Sequence, residues 1–95
     1  MPVTIRREMT ITRDDFFRIL PKALDEFQFE INGNKVLCHI DNGHVEIDLT
    51  VGENRKIGAL ELPIMHVNFI LNNISDEMRA KFFSKFDFSY HKGGG

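Results

Sequence analysis

The 95 residues contain no tryptophan, a single cysteine and three prolines. One cysteine, Cys38, excludes an internal disulfide. The fold must therefore stand on its apolar core, and a reducing compartment, the cytoplasm, is the expected location. No apolar run approaches the ~18 residues that cross a bilayer, so no membrane partner is expected. The opening segment MPVTIRREMTITRDD carries charges throughout and has no apolar h-region, so no secretory signal is expected either. An excess of one charge is also missing: twelve basic and fourteen acidic residues leave a formal net charge of −2. Arg6-Arg7 and Arg55-Lys56 are pairs rather than patches. A nucleic-acid partner needs a basic stripe, so none is expected. There is no Ser-His-Asp order, no phosphate loop and no Cys-x-x-Cys. Hence neither a catalytic activity of its own nor a cofactor is expected.

Phenylalanine is plentiful. Nine of the residues are Phe and 42% are apolar, which suffices for one modest core and argues against disorder. The length corresponds to one domain. The expected division is a lead-in over 1–11, an α+β domain over 12–88 and a flexible C-terminal tail over 89–95.

The domain opens with a helix signal. Thr12 is placed to cap the first turn, and Asp15 is the acidic half of a capping box. Phe16, Ile19, Leu20, Ala23, Leu24 and Phe27 then recur at spacings of three and four. The spacing predicts a helix over 12–26, kinked or broken near Leu20 by Pro21. The period next switches to two, in FQFEINGNKVLCHIDNGHVEIDLTV. Asn32-Gly33 and Asn42-Gly43, each between alternating runs, predict two hairpins with type I′ turns. The implied pairs are Ile31 with Asn34, Phe29 with Val36, Cys38 with Ile47 and Val36 with Leu49. On the other face this register sets Glu30 against Lys35, Asp41 against His44 and His39 against Glu46. GENRK reads as a polar loop, and IGALELPIMHVNFIL as a fourth strand, bulged at Pro63, on the sheet edge. Ser75 caps a second helix striped by Met78, Phe82, Phe83 and Phe86. The expected architecture is α+β: helix, four-stranded antiparallel meander, helix, with both helices covering one sheet face.

Four groups of residues are functional candidates. The uncovered sheet face carries Leu37, Ile64 and Ile70 among polar residues, a seat for a protein partner or a second copy of the chain. The expected edge strand is another docking place. His39, Asp41, His44 and Glu46 gather around the second turn and are chemically suited to a metal ion. Their spacing of two is that of any amphipathic strand, so cross-strand ion pairs explain them as well and no metal is assigned. Cys38 is expected to face inward, where a thiol behaves as a small apolar group. Asp14-Asp15 and Asp76-Glu77 sit at helix starts, where capping accounts for them.

The chain ends in Gly93, Gly94 and Gly95. Glycines thread narrow channels because they lack side chains. This end resembles the Gly-Gly terminus of the ubiquitin-like family, which includes the bacterial sulfur carriers of thiamine and molybdopterin synthesis. The resemblance implies that Gly95, preceded by Gly94, is adenylated by an ATP-using partner enzyme and converted to a thiocarboxylate or an amide. Members of that family begin with a hairpin followed by a helix. This sequence begins with a helix and then runs four strands. The primary expectation is therefore a non-catalytic interaction domain, with the carrier reading as its alternative.

Overall fold

Among residues 2–93, which the computed structural model describes, there are seven strands and two helices, with six of the strands consecutive between the helices. They are β1 (Val3–Met9), α1 (Arg13–Ala23), β2 (Gln28–Asn32), β3 (Lys35–Ile40), β4 (Gly43–Val51), β5 (Arg55–Ile57), β6 (Leu60–Leu62), β7 (Met65–Asn72) and α2 (Asp76–Gly93). Five strands form an antiparallel sheet in the order β1-β7-β4-β3-β2. β5 and β6 form a separate two-stranded ribbon. The expected meander is present as β2-β3-β4-β7, and both helices cover one face of the sheet.

Local chemistry sets the helix ends. The Thr12 hydroxyl accepts the Asp15 N–H at 3.1 Å, and Asp14 and Asp15 occupy the first turn of α1. α1 runs unbroken through Pro21 and stops at Ala23, three residues before the expected end. Pro21 lies in the last turn, where few helical bonds remain to be lost. The Ser75 hydroxyl caps α2 by accepting the Met78 N–H at 3.2 Å.

The alternation assigned the sheet faces correctly, whereas the turn type misplaced the register. Positive φ falls on the first central residue of each hairpin: 62° at Gly33 and 50° at Asp41. That is the sign pattern of a type II′ turn rather than the expected type I′. Each pairing slides by one residue per strand. Ile31 faces Val36, Phe29 faces Cys38, Cys38 faces Val45 and Val36 faces Ile47. The expected polar pairs are lost with the slide: Glu30 lies opposite Leu37, and His39 opposite His44. Gly43 leaves the turn altogether. A Cβ there would lie 2.2 Å from the Asn73 carbonyl oxygen and 2.4 Å from that of Asn72.

Three further expectations are corrected. The segment taken as a lead-in, 1–11, contains β1, which pairs with β7 from Val3↔Leu71 to Met9↔Met65. The last strand of the meander is therefore internal, and β1 is the edge on that side, with β2 the edge on the other. Arg7 projects toward the core side, with its guanidinium 4.5 Å from the centre of the Phe83 ring and paired to Asp87. Next, the expected long fourth strand is divided among three strands, the first of which also takes Arg55 and Lys56 from the expected polar loop. The β5–β6 hairpin turns at Gly58, φ 60°, and β7 starts only after Pro63 and Ile64. Finally, residues 89–93, expected in a flexible tail, continue α2. Tyr90 stacks on Phe16 with ring centres 5.0 Å apart, and its buried hydroxyl donates to the Phe16 carbonyl at 2.8 Å. Burial pushes the phenol well above its ordinary range, which keeps it a neutral donor.

One continuous core fills the space between sheet and helices. Phe16, Phe69, Phe82 and Phe86 are its largest fully buried side chains. Phe69 stands on central strand β7 with the rings of Phe82, Phe83 and Phe86 at 6.2, 4.9 and 5.1 Å. These edge-on contacts orient α2 across the sheet.

Candidate functional site

The pairings turn the uncovered face into a grid of side chains. One row across the sheet reads Thr4, Ile70, Glu46, Leu37, Glu30. Leu37 and Ile70 thus share this face, half-buried, on either side of Glu46. Ile64 does not join them. It is 4% exposed and sits in the break before β7, where its carbonyl accepts the Gly52 N–H at 2.9 Å. The interruption at Pro63 and Ile64 takes this residue out of the alternation that would have placed it on the face.

The neighbouring row reads Arg6, Asn68, Asp48, Lys35, Asn32. The Lys35 ammonium lies 4.0 Å from Asp48 Oδ1, an oxygen closed to solvent and without a hydrogen bond among the described residues. On the other side, Asn72, His44, His39 and Gln28 make a third row. The Asn72 amide nitrogen meets His44 Nε2 at 3.1 Å; with the amide donating, that ring nitrogen accepts.

The metal candidates are dispersed. His39 and His44 lie directly opposite each other, but Glu46 is in the next row beside Leu37 and Ile70. Asp41 occupies the turn, and His39 Nε2 lies 4.0 Å from Glu30. No group of three His, Cys, Asp or Glu side chains able to hold an ion is found among the described residues. Asp14-Asp15 and Asp76-Glu77 lie in the first turns of α1 and α2.

Cys38 is fully buried, and burial pushes its thiol up to about 12. A thiolate is needed for attack, so Cys38 should resist a maleimide in the native protein and react fully in denaturant. Rapid labelling of the folded protein would contradict this burial.

The surface that sequence reasoning missed is the β5–β6 hairpin. Ile57 faces Leu60 and Arg55 faces Leu62 on one side of the ribbon, while Lys56 faces Glu61 on the other. Ile57 is 55% exposed and Leu60 66%; Val51, at the base, is 60% exposed. Among the described residues the ribbon pairs with no strand of the five-stranded sheet. Its described ties to the body are an Arg55–Glu8 ion pair at 3.0 Å and the Gly52–Ile64 backbone bond at its base, while Asn54 and Glu61 bond across the ribbon itself at 3.1 Å. The signal for it was present in the sequence. Gly58-Ala59 lies between two short apolar stretches, and the parity of apolar residues changes at Pro63.

Gly94 and Gly95, the candidate carrier terminus, lie outside the described residues. No helix among the described residues is long and apolar enough to cross a membrane. Comparisons with protein-family models, curated proteins and solved structures each gave no match to this chain.

Proposed function

We propose that this chain is a non-catalytic cytoplasmic interaction domain, which engages a protein partner through the β5–β6 hairpin. The observation that carries the reading is the exposed apolar side of that hairpin, Ile57 with Leu60. A two-stranded ribbon is marginal in water without something to cover it. Exposed apolar residues scattered singly need no explanation, but these two are cross-strand partners on a projecting element. The open edges of a ribbon also offer backbone groups for strand addition. On this reading the five-stranded sheet and its helices are the rigid base that presents the hairpin. The half-buried Leu37 and Ile70 form a secondary patch on the same base.

The double substitution I57S/L60S tests this. Both side chains are exposed, so the folded base should keep its melting temperature within about 4 °C, less than ~1 kcal/mol for a domain of this size. Association with the partner that co-purifies from the native cell should be lost. A partner retained by I57S/L60S with wild-type affinity would refute the role of the hairpin.

A further inference from the structure

The sheet ends at β1, whose outer edge is unpaired among the described residues. Edges of this kind are normally blunted by proline, bulges, cover or charge. The open-face charges of β1, Arg6 and Glu8, are of opposite sign and so oppose a foreign strand more than a matched one. β1 has neither proline nor bulge between Val3 and Met9, and its partner β7 pairs with it residue for residue. Its one inward charge, Arg7, is already compensated, with the guanidinium turned onto the Phe83 ring and the Asp87 carboxylate of α2.

We infer that β1 pairs with β1 of a second copy of this chain, antiparallel about a two-fold axis at Arg7, joining two five-stranded sheets into one. This goes beyond the hairpin reading and stands independently of it. The sequence of the strand selects the occupant and the register. With the axis at Arg7, Arg6 lies opposite Glu8 of the second copy, and Glu8 opposite its Arg6, on the open face. On the core side Ile5 meets Met9 and Met9 meets Ile5. The Arg7 pair at the axis brings together two guanidinium groups, each held by its own Asp87. Other symmetric registers do worse. An axis at Arg6 opposes Arg6 to itself and sets Ile5 against Arg7. An axis at Glu8 opposes Glu8 to itself and sets Met9 against Arg7. An axis at Ile5 leaves Glu8 without a strand partner and sets Thr4 against Arg6. Unlike charges directly opposite across a ladder stabilise it, and like charges destabilise it. Only the Arg7 axis therefore gives two ion pairs and two apolar pairs together. Glu8 keeps its contact with Arg55 through one oxygen and offers the other to the second copy.

Sedimentation equilibrium on the full chain up to about 100 μM tests the inference. The wild type should dimerise. R6E and E8R should each raise the dimer dissociation constant at least about tenfold, because each turns two attractive pairs repulsive. The double variant R6E/E8R restores both pairs with their signs exchanged and should dimerise within about threefold of wild type. Circular dichroism shows whether each variant folds. Hydrogen exchange on the wild type is the second readout, with amides of β1 becoming protected as concentration rises. A wild type that stays monomeric would overturn the inference, as would single variants that dimerise normally or a double variant that is not rescued. I57S/L60S should leave the dimer intact. A dimer lost on that substitution would move the self-association to the hairpin and overturn the β1 assignment.

Discussion

Gly43→Ala is expected to cost at least ~3 kcal/mol or to prevent folding, while Gly33→Ala costs roughly 1 kcal/mol. Both glycines follow an asparagine in what read as equivalent turns, and the structure separates them. Gly33 holds φ at 62°, and a methyl group added there would meet nothing within 4 Å, so alanine faces only the left-handed backbone penalty. Gly43 is the first residue of β4 and lies against the carbonyls of Asn72 and Asn73. A methyl group there would be 2.2 Å from a backbone oxygen, far inside contact distance. The obstructing atoms are backbone of Asn72, the last residue of β7, and of Asn73 just after it, so relief requires moving main chain rather than rotating a side chain. Urea unfolding of the two variants beside the wild type measures both costs. Equal costs for the two would mean that Gly43 serves the turn, as a type I′ geometry would require.

Phe69→Ala is expected to remove ~3–5 kcal/mol, the usual range for a large aromatic lost from a core. That corresponds to a fall in melting temperature of roughly 15–30 °C for a domain of this size. Phe69 is fully buried and touches three rings of α2, and the Arg7 guanidinium lies 5.8 Å from its ring centre. Its removal opens a cavity between the sheet and α2 and loosens Arg7 on the edge strand. A loss below ~1.5 kcal/mol would show that α2 can collapse into the space. The aromatic contacts would then not fix how that helix packs.

The fold class was legible because two periodicities were clean. Spacings of three and four marked Phe16, Ile19, Leu20 and Ala23, and all four are buried in α1. Period two marked Val36, Cys38 and Ile40 and then Val45, Ile47 and Leu49, and all six face the core. β1 escaped because Arg6-Arg7-Glu8 breaks the apolar alternation. Arg7 takes a core-side position that partners distant along the chain, Asp87, Phe83 and Phe69, make tolerable. The register of the second hairpin slipped because Asn-Gly suits a type I′ turn, while close packing against Asn72 and Asn73 claims Gly43 and moves the turn to Asp41. The end of α2 was hidden by weak local propensity around Ser89, His91 and Gly93. Packing of Tyr90 on Phe16 and Phe86 overrides it.

Of the candidate interaction residues, Leu37 and Ile70 share the open face as alternation implied, and Ile64 is buried beside the break at Pro63. Ile57 and Leu60 could not be ranked from sequence. Their exposure depends on the ribbon standing clear of the sheet, a tertiary property that short apolar stretches do not reveal.

The most direct measurement is photo-crosslinking in the native cell, with a photoreactive side chain placed at position 60 and, separately, at position 22. Both residues are exposed, but Leu60 lies on the apolar side of the hairpin and Lys22 on α1. A discrete adduct with one protein from position 60, absent from position 22 and abolished by adding Ile57→Ser, is the predicted result. Adducts of equal yield from both positions, or none from position 60, would contradict a hairpin that docks a partner.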